Sequence, residues 1–248
     1  MVTSQIIYQS ETLRATLHKS VEATSNLLCN FDYFQIHRTG FPDIRQSPFM
    51  CARGYDVLTI DSASNNWFLS EDIDALGVEL VKISQGYERS ISLCFSMGII
   101  GALMFRGELR LEKIMTFSPV ISIFGNDIPD HRLKKFRKIV NCPQYRDLWK
   151  EGSKDIRGVL CFDPYMPFDD AQARLVHSYY PNLKPVALPF GWHPATQIIR
   201  EGLGIQSIYG LIDKDDFTPR GMKELHTNAR LKSDKYKKSL YDRRKIIL

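Results

Sequence analysis

The sequence predicts an α/β protein in which helices cover both faces of a mostly parallel sheet, a three-layer α/β/α sandwich. Short runs of apolar and β-branched residues, typical of strands that are buried on both faces, alternate along the chain with segments of helical periodicity. Strands that alternate with helices indicate βαβ units and therefore parallel pairing. The chain has 248 residues, 44% hydrophobic and 25% charged, which is enough to bury such a core in one domain.

Six strands are predicted from these runs, and one helix stands out between them. The strands are 31–36, 55–60, 91–94, 113–117, 158–162 and 185–188. The helix is 71–85, because four apolar residues at helical spacing share one face: Ile73, Leu76, Leu80 and Ile83. Ser70 is placed to cap its N-terminus, and the acidic residues that follow favour the positive end of the helix dipole.

We predict one domain over residues 1–219, with an insertion at 124–154 and a basic tail at 220–248. The insertion is charged and exceeds an ordinary connection between strands, so it is either a lid or a surface helix with loops. The net charge of the chain is +5, and the tail alone holds ten Lys and Arg against three Asp and Glu. Such a tail suits a protein partner or an anionic surface, or is simply a solvated end. No recognised nucleic-acid motif surrounds it, so no nucleic acid is expected.

The composition also argues against several classes of protein. No run of about 18 apolar residues is present, so a membrane span is not expected. The first residues lack a basic start followed by an apolar run, so no signal peptide is expected. The five cysteines are scattered and odd in number, which favours free thiols in a reducing cytoplasm. Neither a phosphate-binding loop nor a metal-ligand spacing occurs, so no cofactor and no metal are expected.

The segment from Ile91 to Ala102 has the layout of a nucleophile elbow. A short apolar strand stops at residues 95–98, and a helix-like segment with small residues follows. A serine on such a strand-to-helix turn is held with its hydroxyl exposed. Ser96 is therefore the candidate nucleophile, and the backbone N–H of Met97 is the candidate oxyanion donor.

The candidate base for this serine is His193. It follows the last predicted strand and precedes Pro194, which keeps the residue before it out of the helical region and itself suits the first position of a helix. His193 is thus predicted on a loop at the carboxyl edge of the sheet, where catalytic groups collect in open α/β sheets. The alternative is an ordinary histidine at the start of a helix.

Three carboxylates after the preceding strand are candidates for the acid that orients His193. Asp163 lies at the end of the strand, and Asp169 and Asp170 lie immediately before a predicted helix. We favour Asp169, then Asp163 and then Asp170, although Asp169 is also well placed as a helix N-cap. The resulting order, Ser96 then Asp169 then His193, is the chain order of α/β-hydrolase triads.

With these motifs the sequence resembles the α/β-hydrolase superfamily. More narrowly, it resembles a bacterial group of small hydrolase-like proteins that is often associated with surface-polysaccharide and glycosyltransferase loci. That group shows an Asn-Asp-Trp-Tyr-like motif, Ser-Met-Gly-Gly, Ser-Pro, Tyr-Asp-Pro with a second Asp, and Gly-His-Pro. The matching residues are Asn65-Asn66-Trp67-Phe68, Ser96-Met97-Gly98, Phe117-Ser118-Pro119, Phe162-Asp163-Pro164 with Asp169, and Gly191-Trp192-His193-Pro194. The resemblance implies an α/β-hydrolase fold and an ester substrate, either a small molecule or a glycan.

Four positions differ from the pattern of that group. Cys94 replaces the first elbow glycine, Ile99 stands where the group has a second glycine, Trp192 is inserted before the histidine, and Asn66 replaces an acidic residue. These differences concern substrate specificity and the efficiency of the elbow. The predicted triad itself is intact.

Two loops are expected to complete the site. The loop after the first predicted strand should supply the second oxyanion donor, near Arg38 or at Thr39. Asn66 and Trp67 follow the next strand and are candidates for substrate binding. Trp67 is suited to stack on a sugar ring, and the alternative is partial burial against the neighbouring helix.

The sequence therefore predicts a serine-dependent acyl hydrolase, an esterase or deacetylase that acts on an acylated glycan through Ser96, His193 and Asp169. Acyl transfer to a sugar hydroxyl is the neighbouring reaction, because an acyl-enzyme can be captured by an alcohol instead of water. The alternative from another class is a catalytically silent partner of a glycan-assembly or secretion machinery, with the basic tail as its docking element.

Overall fold

The computed structural model describes residues 2–44, 48–124, 127–130, 133–134, 143–145 and 147–247. Within that part of the chain, eight strands form one sheet in the order β1-β2-β4-β3-β5-β6-β7-β8. The strands are β1 (Thr3–Gln9), β2 (Leu13–Lys19), β3 (Asn26–Phe31), β4 (Asp56–Ser62), β5 (Arg89–Phe95), β6 (Leu111–Phe117), β7 (Arg157–Phe162) and β8 (Leu183–Ala187). Strand β2 pairs antiparallel with β1 and β4, and the other neighbouring strands are parallel.

Helices lie on both faces of this sheet and give the three-layer architecture that the sequence predicts. They are α1 (Pro48–Cys51), α2 (Ile73–Ser84), α3 (Gly98–Met104), α4 (Pro167–Tyr179), α5 (Gln197–Leu203), α6 (Gln206–Asp213), α7 (Pro219–Lys232) and α8 (Asp234–Ile247). Apolar residues of α2, α3 and α4 share one core cluster with the sheet, and those of α1, α5, α6 and α7 share the other. The central parallel strands are therefore buried on both faces, which explains their continuously apolar sequences.

Five of the six predicted strands correspond to β4–β8, with small differences at their ends. The strand predicted at 31–36 is wrong, because β3 ends at Phe31. The chain turns there because the Asp32 carboxylate accepts the N–H of Tyr33 and forms a buried ion pair with Arg38 at 2.6 Å. Strands β1 and β2 and residues 26–30 of β3 were not predicted; β1 is largely exposed, and β2 buries polar side chains among its apolar ones.

The predicted helix 71–85 is α2, which begins two residues later than expected. Asp72 occupies the N-cap position, and the Ser70 hydroxyl accepts the N–H of Asp72 at 3.1 Å. Ser70 therefore closes the turn that precedes the helix instead of capping the helix itself.

The predicted insertion, 124–154, is described only in part. Its described residues include two short 3₁₀ turns, Pro143–Tyr145 and Leu148–Lys150. Trp149 is buried there, and its carbonyl oxygen accepts a hydrogen bond from the Tyr180 hydroxyl. Much of the segment lies outside the described residues, so the lid stays a prediction.

The segment predicted as a basic tail, 220–248, begins one residue inside α7. Helix α7 starts after Thr218, whose hydroxyl accepts the N–H of Gly221 at 3.1 Å. The helix packs closely on α5, because a Cβ atom at Gly202 would overlap the carbonyl group of Ala229. Met222 and Ala229 of α7 are buried in the core. The described part of this segment, up to residue 247, therefore forms α7 and α8.

Two further observations concern the described residues as a set. No helix among them combines the length and the apolar character that crossing a membrane requires. Four cysteines are free and buried: Cys29, Cys51, Cys94 and Cys161. Cys142 lies outside the described residues.

Candidate active site

Ser96 lies on a sharp turn between β5 and α3. Its φ of 47° is in the left-handed region, which costs a residue with a side chain roughly 1–3 kcal/mol. Backbone hydrogen bonds enforce the turn, because the N–H of Ser96 donates to the carbonyl of Phe117 at 2.9 Å and its carbonyl accepts the N–H of Val120 at 3.1 Å. A strained serine between a buried strand and the start of a helix is the geometry of a nucleophile elbow.

The elbow accommodates Cys94 because its close contact falls at Gly98. A Cβ atom at position 98 would lie 2.8 Å from the carbonyl oxygen of Phe31 and 3.2 Å from the Cβ of Cys94. Glycine is therefore needed at 98, while position 94 has room for a thiol. Burial raises the pKa of the Cys94 thiol to about 12, so this cysteine stays protonated and unreactive at neutral pH.

His193 links Ser96 to Asp169. Its Nε2 lies 3.0 Å from the Oγ of Ser96, and its Nδ1 lies 2.7 Å from the Oδ2 of Asp169. A carboxylate only accepts hydrogen bonds, so the proton is on Nδ1 and Nε2 accepts from the serine hydroxyl. The Asp169 side chain is fully buried, while 30% of the His193 side chain is exposed. The three side chains form a continuous chain of hydrogen bonds.

His193 lies on the loop between β8 and α5, as the sequence predicts. Pro194 is not the first residue of the next helix, because α5 begins at Gln197 with Thr196 as its N-cap. We call residues 188–193 the His193 loop.

The three candidate carboxylates have different partners. Asp169 is the third residue of α4, so it is not the N-cap, and it contacts His193. Asp170 pairs with Arg174 at 2.9 Å on the surface of the same helix. Asp163 accepts three backbone N–H groups, and its carboxylate makes no hydrogen bond with the imidazole of His193. Of the three, Asp169 has the geometry that fits an orienting acid.

The two predicted oxyanion donors have different surroundings. The N–H of Met97, at the N-cap of α3, makes no hydrogen bond with any residue that the structure describes, and Met97 itself is buried beside Ser96. Thr39 is exposed and lies eight residues beyond the end of β3. The loop after β3 approaches α3 at its start instead, where the carbonyl oxygens of Phe31 and Asp32 lie against Gly98.

Asn66 and Trp67, the predicted substrate-binding residues, are buried and present no surface to a substrate. The Trp67 ring packs on Phe34 with the ring centres 5.6 Å apart. The adjacent Asn65 donates to the carbonyl of Gln35 at 2.6 Å and accepts the N–H of Gln35 at 3.0 Å. The motif that contains these residues therefore holds the loop after β3.

The His193 loop is supported by residues to which the sequence analysis gave no role. The Ser118 hydroxyl accepts the N–H of Ala195 at 3.0 Å, directly beyond the loop. The ring of Tyr236 in α8 packs edge-on against Phe190, with the ring centres 5.5 Å apart. The Ser-Pro motif had pointed to Ser118, whereas nothing in the local sequence pointed to α8.

Exposed aromatic residues flank the site. Trp192, immediately before His193, is 47% exposed, and Tyr165, two residues after Asp163, is 41% exposed. The guanidinium carbon of Arg243 in α8 lies 3.4 Å from the centre of the Tyr165 ring. The sequence analysis gave these two aromatic residues no role. Their closeness in sequence to His193 and Asp163 is the signal that could have indicated them.

We expect His226 to make the stability of the fold depend on pH. Burial lowers the pKa of this α7 histidine from 6.5 to about 4, with the charge of Arg230 adding to the effect. Because the unfolded chain takes up the proton first, stability falls as the pH drops from 6.5 towards 4, by about 2 kcal/mol between pH 7 and pH 5. Thermal unfolding of the wild type and of His226→Gln at the two pH values measures this, and the variant should lose less. Equal losses in the two proteins would contradict the assignment.

The site holds the parts of a nucleophilic catalyst. It brings together a hydroxyl, an imidazole that can take its proton and a buried carboxylate, next to a backbone N–H that has no hydrogen-bond partner among the described residues. Among the described residues, no group of three or more His, Cys, Asp and Glu side chains is arranged to hold a metal ion.

No protein-family model matches this chain, and no curated protein matches it in sequence. Solved structures do match. Acylaminoacyl peptidase of Pyrococcus horikoshii aligns with a TM-score of 0.53 and 13% identity over 84% of this chain and 41% of its own. A provisionally named thioesterase of Silicibacter sp. TM1040 aligns with a TM-score of 0.52 and 12% identity over 78% of this chain and 79% of its own.

A provisionally named carboxylesterase of Lactobacillus plantarum WCFS1 aligns with a TM-score of 0.51 and 11% identity, over 88% of this chain and 99% of its own. At such low identity these similarities concern the fold. Together with the strand order and the two helical layers, they show that this chain has an α/β-hydrolase-like fold.

Proposed function

We propose that this protein is a serine-dependent acyl hydrolase in which Ser96 is the nucleophile, His193 the general base and acid, and Asp169 the residue that orients His193. The observation that carries the proposal is the position of the imidazole, 3.0 Å from the serine oxygen on one side and 2.7 Å from a buried carboxylate on the other. The strained φ of Ser96 supports it further, because strain of this kind concentrates at functional sites.

In the proposed reaction the Oγ of Ser96 attacks the ester carbonyl while His193 Nε2 takes its proton. The N–H of Met97 binds the resulting oxyanion, and the backbone of the loop after β3, with Thr39 as the candidate, supplies the second donor. Collapse of the intermediate breaks the ester C–O bond, and the proton on Nε2 passes to the departing alcohol. Water then gives a proton to His193 and attacks the acyl-enzyme, which releases the carboxylic acid and restores Ser96.

We further propose that the ester is carried by a glycan. The exposed ring of Trp192, next to His193 in the chain, supports this, because an aromatic ring offers a flat apolar surface with a polar edge. A sugar hydroxyl could replace water in the second step, which would make the reaction acyl transfer. The four free buried thiols support a cytoplasmic location, where thiols stay reduced.

The experiment combines a covalent probe with two esters. We expect the wild type to react with a fluorophosphonate and to hydrolyse both p-nitrophenyl acetate and an acetylated oligosaccharide. Trp192→Ala should lower kcat/KM for the oligosaccharide about 10-fold, because it removes a stacking surface, and should leave the small ester nearly unaffected. Leu231→Ala, at an exposed apolar residue of α7, is the matched control.

An equal loss of kcat/KM on both esters in Trp192→Ala would contradict the proposal that Trp192 binds the glycan. If folded wild-type protein neither reacted with the probe nor hydrolysed either ester, the acyl hydrolase proposal would fail. The silent partner protein would then be favoured, with the basic surface of α7 and α8 as its docking element.

A further inference from the structure

The His193 loop has a backbone that needs external support. Phe190 and Trp192 have φ values of 61° and 64°, in the left-handed region that residues with side chains rarely adopt. Such a conformation costs free energy and persists only where the surrounding structure enforces it. Because Trp192 directly precedes His193, the group that enforces this conformation also determines where the imidazole lies.

Asp163 binds both of these strained residues. It follows the last residue of β7, and its side chain is buried beneath the His193 loop. Its Oδ1 accepts the N–H of Phe190 at 3.2 Å and that of Tyr165 at 3.0 Å, while its Oδ2 accepts the N–H of Trp192 at 2.9 Å. The two strained residues of the loop therefore donate to the two oxygens of one carboxylate.

This arrangement requires a group with two acceptor oxygens. Hydrogen bonds from N–H groups to a carboxylate are about twice as strong as those between neutral groups. Burial raises the pKa of Asp163 and nearby Asp169 acts in the same direction, while the three N–H donors oppose both by stabilising the charged form. Burying a carboxylate beside a second carboxylate costs free energy, and the hydrogen bonds from the three N–H groups offset that cost.

We propose that Asp163 is a positioning residue that places His193 between Ser96 and Asp169 by fixing the backbone of Phe190 and Trp192. Asp163 does not touch the substrate in this proposal, and its role differs from that of Asp169, which contacts the imidazole. The inference rests on the proposed function for its kinetic consequences. The position of the imidazole, however, can be measured without any substrate.

Asp163→Asn tests this with a minimal change of shape. An amide has one acceptor oxygen and one NH₂ group, so the NH₂ must face either the N–H of Trp192 or those of Phe190 and Tyr165. Opposed donors repel, and the loop should move. A displacement of about 1 Å at the base can cost on the order of 100-fold in rate. We expect kcat to fall about 10- to 100-fold, with KM changed much less.

The direct readout is the low-field proton NMR signal of His193 Nδ1–H bound to Asp169, recorded well below the melting temperature. We expect it in the wild type and in Ser96→Ala, and expect it to be lost or shifted in Asp163→Asn. Asp170→Asn is the matched control, because Asp170 is the carboxylate next to Asp169 and its side chain pairs with Arg174 on the surface of α4. It should keep both the signal and kcat.

If Asp163→Asn does not fold, Asp163→Glu keeps the charge and moves the oxygens by one methylene group, and it should give a shifted signal and a smaller loss of kcat. A folded Asp163→Asn with an unchanged signal and unchanged kcat would overturn the proposal, as would an unchanged Asp163→Glu. A wild type that shows the NMR signal but hydrolyses no ester would refute the proposed function alone, since the signal still reports the position of His193.

Discussion

Ser96→Ala is expected to abolish reaction with a fluorophosphonate and to lower kcat for p-nitrophenyl acetate by about 10⁵- to 10⁶-fold. The reason is that no other described hydroxyl is hydrogen-bonded to His193, so the variant lacks any group that the imidazole can activate. Removal of a catalytic serine leaves only the rate that substrate binding and the oxyanion donors supply, and losses on this order follow. Mass spectrometry of the labelled protein and initial rates measure the two effects.

The fold should survive this change, because alanine keeps the Cβ atom and the backbone bonds of Ser96 to Phe117 and Val120 do not involve the side chain. Ser178→Ala, at an exposed serine of α4, is the control for loss of a hydroxyl. Labelling of Ser96→Ala to the same extent as the wild type would show that another residue reacts and would remove Ser96 from the mechanism.

Asp169→Asn is expected to lower kcat about 10³- to 10⁴-fold while the protein stays folded. An amide at this position can donate to Nδ1 of His193, which would move the imidazole proton to Nε2 and leave that atom unable to accept from Ser96. Loss of the carboxylate also removes the charge that stabilises the imidazolium ion, and an effect of about 10⁴-fold is typical of triad acids. Steady-state rates at several pH values measure the change.

Asp170→Asn is again the natural control, since it alters the neighbouring carboxylate and its ion pair with Arg174 at the surface. A loss in Asp170→Asn that matched the loss in Asp169→Asn would contradict the assignment of the acid. Asp163→Asn should lie between the two, because it displaces the base without changing its protonation partner.

The central strands and the candidate triad residues could be predicted because each is marked by a pattern in the residues immediately around it. Buried parallel strands leave continuous apolar runs, as in β5, and Ser96 and Asp163 directly follow such strands. His193 could be placed on a loop because Pro194 restricts the residue before it. The choice between Asp163 and Asp169 could not be made in this way, since it depends on which side chain reaches the imidazole across the fold.

The loop after β3 shows why other parts of the fold and the site could not be predicted from the sequence. Its apolar and aromatic residues suit a strand, yet the chain turns away after Phe31. The contacts that decide this are an ion pair between Asp32 and Arg38 and two hydrogen bonds between Gln35 and Asn65, which is 30 residues away. Trp67 was predicted to bind substrate because its burial could not be foreseen. That burial depends on where the loop after β3 lies, since the Trp67 ring packs on Phe34.

The packing of Tyr236 on Phe190 bears on the order in which the candidate site is completed during synthesis of the chain. Ser96, Asp169 and His193 all precede α8 in the chain, so a growing polypeptide holds every candidate catalytic group before it holds the helix that supports the His193 loop. At roughly 5–20 residues per second, α8 is made a few seconds after His193. During that interval the nascent chain lacks one of the contacts that hold the His193 loop.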